Sequence, residues 1–160
     1  MPAKSHQYGM TTRWTGNLGS GTSSYRAYSR NFEITGPEKQ IVLPASSDPA
    51  FRGEASRYNP EELLVASVSS CHMLWYLHLC ADAGISVTEY SDEPVGTMIE
   101  TEDGSGHFAS ITLRPSVTIT QSSKIQQALE LHKKAHEMCF IARSVNFPVE
   151  CNAQVASQDT

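Results

Sequence analysis

The sequence predicts an α+β fold in which two helices pack on antiparallel sheet. Three observations predict this class: strand-forming residues dominate the first 50 positions, a long apolar segment of helical character lies in the middle, and a hairpin, a second helix and a final strand follow it. The 160 residues have the length of one domain. We expect residues 1–160 to form a single domain with loose termini at 1–9 and 156–160.

The first third of the chain is predicted to contain three strands separated by glycine or proline. These strands are residues 10–14, 25–34 and 40–43. The glycines between residues 16 and 21 indicate a turn, and they lack the Lys-Ser/Thr pair of a phosphate-binding loop. Pro44 is predicted to end the third strand, and an irregular loop over 46–58 contains Arg52 and Arg57.

The clearest element is a helix that begins at Asn59 and runs to about Ala83. Asn59 suits the N-cap, Pro60 suits the first helical position, and Glu62 suits the acidic position of a capping box. Gly84 is predicted to end the helix. The segment is apolar on nearly every face, which is typical of a buried central helix, and its internal polar residues argue against a membrane span.

The second half is predicted to hold a hairpin, a second helix and one strand. The predicted hairpin strands are 85–102 and 106–120, the helix is 122–139 and the last strand is 149–155. Gly104 lies in the hairpin turn, and Pro115 marks an edge or a bulge. Ser122 or Ser123 is expected to cap the second helix.

Charge and composition exclude several function classes. The net charge of −5 argues against a nucleic-acid partner and against docking on an anionic membrane. The polar N-terminus lacks the apolar core of a secretory signal, so we expect a cytoplasmic protein. In a reducing cytosol cysteines are more often catalytic or metal-binding than structural. We expect neither a bound cofactor nor a structural metal.

The four cysteines are predicted to have different roles. Cys71 lies in the middle of the long helix, after small serines that leave room around its sulfur. Cys80 is nine residues further on and faces another side of the helix, so we expect it and Cys151 to be small buried hydrophobes. Cys139 lies at the end of the second helix, where fraying allows a resolving cysteine to move.

The segment from Asn59 to Leu64, together with Cys71, resembles the signature of the OsmC/Ohr family of organic hydroperoxide reductases. That family has Asn-Pro-Glu followed by a cysteine ten residues after the glutamate, and Glu61 and Cys71 keep this interval. A second cysteine, placed like Cys139, follows at the distance that the family uses. The Gly-Arg motif of the Ohr branch is absent, so the resemblance is closer to the OsmC-like branch.

The resemblance implies a two-cysteine, thiol-dependent peroxidase that acts in oxidative stress defence. Cys71 would attack an organic hydroperoxide, or hydrogen peroxide, and become a sulfenic acid. Cys139 would condense with it to a disulfide, which an external dithiol, in the family often a lipoylated protein, would reduce. Apolar residues that could favour organic peroxides are Met73, Trp75, Phe140 and Phe147.

The resemblance also implies that a glutamate placed like Glu61 holds an arginine beside the reactive thiol. Arg52 falls within one residue of the family position, and Arg30 and Arg57 are second choices. Ten helical residues separate Glu61 from Cys71, which is ~15 Å along one axis. We therefore expect a site shared between two chains, in agreement with the intertwined homodimer of the family.

The sequence is also compatible with two other functions. His132, His136 and Cys139 share one helix face and could bind zinc, with Cys71 or His72 as a fourth ligand. The chain could also be a non-catalytic module that binds a small molecule in an apolar pocket. His72 is not expected to act as a base for its neighbour, because adjacent helical residues point ~100° apart.

Overall fold

The computed structural model describes residues 4–158. The chain divides into two compact units whose boundary lies between Leu63 and Leu64. The expectation of a single domain over 1–160 stays a prediction. Of the two termini expected to be loose, the second is partly wrong, because Ala156 and Ser157 belong to the last strand. The ends of both predicted termini lie outside the described residues.

The N-terminal unit contains one antiparallel sheet in the order β1-β2-β3. Its strands are β1 Thr11–Trp14, β2 Phe32–Thr35 and β3 Leu43–Ala45. The predicted second strand is too long, because residues 25–31 form turns and loop instead. Pro44 was expected to end the third strand but lies inside it, opposite Glu33. β3 is an edge strand of this sheet, where a proline is tolerated, and beyond β2 it makes only an isolated bridge between Ala45 and Tyr58 among the described residues.

Helix α1 extends from Pro60 to Asp82, as the sequence predicts. Its capping box is complete: the Glu62 N–H donates to Asn59 Oδ1 at 2.8 Å, and the Asn59 N–H donates to Glu62 Oε2 at 3.0 Å. Gly84 ends the helix in the left-handed conformation, with φ +64°. By length and composition α1 could cross a membrane, a test that the core helix of a globular protein also passes.

The expectation that α1 is buried on every face is met along one stripe only. Its fully buried residues recur every fourth position and are Val68, His72, Tyr76 and Cys80. Other apolar residues of the helix keep solvent contact, and Leu74 is 63% exposed. A single chain therefore leaves much of the apolar surface of α1 uncovered.

The C-terminal unit contains two three-stranded sheets, in the orders β4-β7-β9 and β5-β6-β8. The strands are β4 Val87–Asp92, β5 Val95–Glu100, β6 Gly106–Leu113, β7 Pro115–Ile119, β8 Val149–Cys151 and β9 Gln154–Ser157. β5 and β6 form the predicted hairpin, but each predicted long strand is broken in two. The last strand is also two strands, which pair in parallel with β6 and β7, so both sheets are mixed.

Helix α2 runs from Ile125 to Met138 after a 3₁₀ turn over Ser122–Lys124. The predicted serine cap is wrong, because neither the turn nor α2 has a side-chain hydrogen bond at its N-cap. Within this unit, α1 and α2 pack on the sheet of β4, β7 and β9 around Tyr76 and Val117. This packing holds the middle of α1 and the end of α2 in one body.

Candidate active site

Cys71 lies on the part of α1 that is fixed to the strands by polar contacts. The hydroxyl of Ser69 donates to Asp92 Oδ2 at 2.5 Å, and the other oxygen of Asp92 accepts the Arg114 N–H at 2.7 Å. One carboxylate thus connects α1 to the end of β4 and to the break between β6 and β7. The Cys71 side chain is partly exposed, so a small solute can reach its sulfur.

Cys139 is the C-cap of α2, as the sequence predicts, and is fully buried. Its backbone is extended, and its sulfur accepts a hydrogen bond from the Ala142 N–H at 3.4 Å. Burial raises the pKa of the Cys139 thiol to about 11, while the Ala142 N–H acts in the opposite direction. At neutral pH Cys139 is therefore a protonated thiol.

The structure brings the two predicted cysteines together. The thiol of Cys71 lies close enough to Cys139 to add to the rise in its pKa, although burial is the larger cause. Both are free thiols. Cys80, in contrast, is buried in the core with Tyr76 and Ile85, as expected for a small hydrophobe.

Exposed and partly exposed apolar side chains lie near both cysteines along the chain. Trp75 and Phe140 meet edge to face with ring centroids 5.7 Å apart, one on α1 and the other directly after Cys139. Leu74 and Phe140 are 63% and 66% exposed. Phe147, which the sequence also suggested, stacks on Phe108 in a separate core cluster. Trp75, Phe140 and Leu74 form what we call the apolar rim.

The three candidate arginines lie in the N-terminal unit and have different surroundings. Arg30 donates to two backbone carbonyls at 2.7 Å and lies over two tyrosine rings. Arg57 pairs with Glu54 at 3.1 Å. Arg52 is exposed, and among residues 4–158 its guanidinium has no ion pair or side-chain hydrogen bond. Arg52 is therefore the arginine whose charge is free to act elsewhere.

The carboxylate of Glu61 likewise has no partner among the described residues. The neighbouring Glu62 provides the capping box of α1, while the carboxylate of Glu61 makes no hydrogen bond or ion pair with any described residue. The glutamate–arginine pair that the family resemblance implies is therefore not formed between Glu61 and Arg52 of one chain.

A second cluster of reactive side chains lies beside the thiol pair and was not predicted. His72 Nε2 and His132 Nδ1 are 3.0 Å apart, and the sulfur of Cys151 is 3.7 Å from the first and 4.0 Å from the second. Cys151 packs against a core cluster, as expected of a small hydrophobe, but its contacts with the two imidazoles were not expected. The zinc set of His132, His136 and Cys139 is not assembled either, because His132 faces His72 while Cys139 faces Cys71.

Burial controls the protonation of this second cluster. Desolvation lowers the pKa of His72 to about 4 and that of His132 to about 3. His136 adds to the first shift and His72 to the second, while Asp92 acts against the lowering at His72. The ring of Tyr76 stacks on His132 with centroids 3.8 Å apart. Burial also raises the pKa of Cys151 to about 11. At neutral pH the cluster consists of two neutral imidazoles and a thiol.

Comparisons with known proteins agree on one family. The family model of OsmC-like proteins matches residues 53–154, more than half of the chain. An OsmC-like protein of unknown function from Vibrio cholerae is 29% identical and superimposes with a TM-score of 0.82, over 95% of this chain and all of that one. A search of the curated proteins finds no match.

Organic hydroperoxide resistance proteins share the fold at lower identity. The protein from Elizabethkingia anophelis is 17% identical, with a TM-score of 0.69 over 97% of this chain and 99% of that one. The OhrB protein of Bacillus subtilis is 19% identical, with a TM-score of 0.60 over 94% and 98%. With the family model and the arrangement of its elements in agreement, the chain belongs to the OsmC-like protein family.

Proposed function

We propose that this protein is a two-cysteine peroxidase that reduces organic hydroperoxides to alcohols with electrons from a dithiol. The observation that carries the proposal is the proximity of two free thiols, Cys71 on α1 and Cys139 at the end of α2. Membership of a family that includes organic hydroperoxide resistance proteins supports it. Four cysteines without a disulfide suit a reducing cytoplasm.

Exposure assigns the two roles. Cys71 is partly exposed and is the sulfur that a peroxide reaches first, while Cys139 is fully buried and protonated at neutral pH. The Cys71 thiolate attacks the terminal peroxide oxygen, the O–O bond breaks, and the alkoxide takes a proton to leave as an alcohol. The sulfur of Cys71 is thereby oxidised to a sulfenic acid.

Cys139 then resolves the sulfenic acid. Its sulfur attacks the sulfur of Cys71, the S–O bond breaks, and the hydroxide leaves as water with the thiol proton of Cys139. Cys139 caps α2 in extended backbone rather than within a helical turn, so its movement toward Cys71 does not require the turns of α2 to unwind. An external dithiol, such as a lipoylated protein, reduces the disulfide by two exchange steps.

The apolar rim supports an organic substrate. Leu74 and Trp75 follow Cys71 by three and four residues, so they lie on the same face of α1 as the reactive sulfur. Phe140 extends this surface from the other helix. An alkyl or aryl group on the peroxide would gain contact with these side chains, whereas hydrogen peroxide would not.

We further propose that Glu61 and Arg52 complete the site across a homodimer. Because α1 is an unbroken helix, Glu61 remains ~15 Å along the axis from Cys71. Neither Glu61 nor Arg52 has a partner among the described residues of its own chain, and α1 leaves apolar surface uncovered. An arginine held by glutamate near Cys71 would stabilise its thiolate.

Steady-state assays of cysteine variants test the chemistry. With cumene hydroperoxide and a dihydrolipoyl reductant, Cys71→Ser is expected to lose all turnover. Cys139→Ser is expected to oxidise Cys71 once and to accumulate a sulfenic acid that a dione probe captures. Cys80→Ala serves as the control, since its sulfur lies in the core. Turnover that survives Cys71→Ser would refute the assignment.

Complementation tests the shared site. Cys71→Ser and Glu61→Gln chains are each expected to be inactive, but mixing them by reversible unfolding forms heterodimers with one intact site. Random pairing gives about one quarter of the wild-type activity per chain. No recovery on mixing, or a monomer with full activity in light scattering, would show that each chain works alone.

A further inference from the structure

Beside the thiol pair, three metal-ligating side chains converge from three elements of the C-terminal unit. His72 comes from α1, His132 from α2 and Cys151 from the end of β8. Their donor atoms all lie within 4.8 Å of one another, and within residues 4–158 no other group of three His, Cys, Asp or Glu side chains meets this condition. The peroxidase steps proposed above use none of the three.

The separations of the donor atoms suit a tetrahedral ion. Zinc bonds of ~2.0–2.1 Å to nitrogen and ~2.3 Å to sulfur place two nitrogens ~3.3 Å apart and each nitrogen ~3.6 Å from the sulfur. The observed distances are 3.0 Å between the nitrogens and 3.7 and 4.0 Å to the sulfur. Each separation therefore has to change by only ~0.5 Å or less to bind an ion.

The electrostatic surroundings also suit a cation. The carboxylate of Asp92, held by Ser69 and by a backbone N–H, acts on both His72 and Cys151. The two positive charges of a divalent ion would balance the negative charges of the Cys151 thiolate and the Asp92 carboxylate. Without an ion, that charge compensation is absent. The facing nitrogens, His72 Nε2 and His132 Nδ1, then have only each other and the Cys151 thiol as partners.

A cavity of about 490 Å³ adjoins the cluster. Its lining includes His132 and Cys151 together with the charged side chains of Lys133 and Glu137. An ion can therefore reach two of its ligands without unfolding of the core, and a fourth ligand such as water can approach from the same side.

We propose that His72, His132 and Cys151 form a binding site for one zinc-class divalent cation per chain. On binding, the nitrogens that face each other both become ligands. The proton between them moves to the outer nitrogen of the ring that carried it, and Cys151 releases its proton to solvent as the thiolate forms. No electrons are transferred in this step.

Cobalt titration of the full-length reduced protein tests the site. Co²⁺ replaces zinc in tetrahedral sites, and a cobalt–thiolate bond gives a charge-transfer band that oxygen and nitrogen ligands do not give. The wild-type protein is expected to bind one Co²⁺ with this band, and Zn²⁺ is expected to displace it. Absence of the band at saturating Co²⁺ would show that the two imidazoles are only hydrogen-bonded.

Matched variants separate this cluster from the thiol pair. Cys151→Ser is expected to lose the charge-transfer band and His132→Gln to weaken Co²⁺ binding at least tenfold. Cys71→Ser, next to His72 on the same helix, and His78→Gln, exposed on α1, are expected to keep both. A band that disappears with Cys71→Ser and survives Cys151→Ser would overturn the proposal.

X-ray absorption of the wild-type complex provides a readout that does not depend on the folding of variants. One sulfur and two imidazoles around the ion are expected, and two sulfurs would assign the ion to Cys71 and Cys139 instead. The outcome is independent of the peroxidase proposal, because Cys71→Ser abolishes peroxide turnover but retains the metal site.

Discussion

Acid should destabilise this protein through its buried histidine pair. His72 and His132 are 1% and 4% exposed, and their pKa values in the folded chain are about 4 and about 3 against 6.5 for an unperturbed imidazole. The unfolded chain therefore binds protons at both rings where the folded chain does not. As a result, the free energy of unfolding falls as the pH drops below ~6.5 and continues to fall until the folded rings titrate.

The size of this effect follows from the two pKa differences. At pH 5 an imidazole with an unfolded pKa of 6.5 and a folded pKa of 4 or lower costs ~2 kcal/mol of stability. Two independent rings would cost ~4 kcal/mol, while one proton shared across their hydrogen bond would bring the loss nearer ~2 kcal/mol. Few carboxylates titrate between pH 7 and pH 5, so this window isolates the histidines.

Urea unfolding at pH 7 and pH 5, in the presence of a chelator, measures the loss. We expect the wild-type protein to lose ~2–4 kcal/mol and His132→Gln to lose ~2 kcal/mol, the contribution of the one remaining ring. His78→Gln is the matched control, because the side chain of His78 is exposed. A loss below ~1 kcal/mol in the wild type, or a loss of ~4 kcal/mol that is undiminished in His132→Gln, would show that the two rings are not the source of the acid sensitivity.

Substitutions at three further positions test tight packing and polar contacts in the two units. Gly96→Ala should destabilise by ~1–3 kcal/mol, because a Cβ there would lie 2.6 Å from a methyl group of Val65; unchanged urea unfolding would contradict this. Asp92→Ala should cost ~1–3 kcal/mol by leaving Ser69 and a backbone N–H without their acceptor, with Asp92→Asn intermediate in the same assay. Gly53→Ala should lower the melting temperature, since its Cβ would overlap a backbone carbonyl, and an unchanged transition would argue against this tight loop.

Local rules explain why α1 could be predicted from the sequence. Asn59 and Glu62 are three residues apart and satisfy each other's backbone N–H groups, and this contact depends on no distant residue. Gly84 ends the helix because it adopts a left-handed conformation that other residues resist. The placement of Cys139 at the end of α2 follows from the same kind of local pattern.

The features of the fold that could not be predicted depend on pairing between residues far apart in the sequence. The predicted strand over 106–120 is split at Arg114 between two sheets, and nothing in its composition specifies that change of partner. Cys151 appeared apolar because it alternates with its neighbours along a strand. Its contact with His72 and His132 arises from the parallel register that places it opposite Leu113, which is a tertiary feature.

The candidate site also has parts that could be predicted from the sequence and parts that could not. The interval from Glu61 to Cys71 is readable in the sequence, and the influence of Cys71 on the pKa of Cys139 places the two thiols near each other, while their roles stay a prediction. The preference for Arg52 over Arg30 and Arg57 comes from the family resemblance, and the structure adds that the guanidiniums of Arg30 and Arg57 are already engaged. The place of Arg52 beside Cys71 stays a prediction.

The most direct test of the account is a single-turnover reaction of the fully reduced wild-type protein. Stopped-flow mixing with cumene hydroperoxide and, separately, with hydrogen peroxide follows peroxide loss, and mass spectrometry of the quenched protein locates the new bond. We expect one equivalent of peroxide to be consumed per chain, faster for the organic peroxide, with a disulfide between Cys71 and Cys139. No consumption of either peroxide, or a disulfide that involves Cys80 or Cys151 instead, would contradict the account.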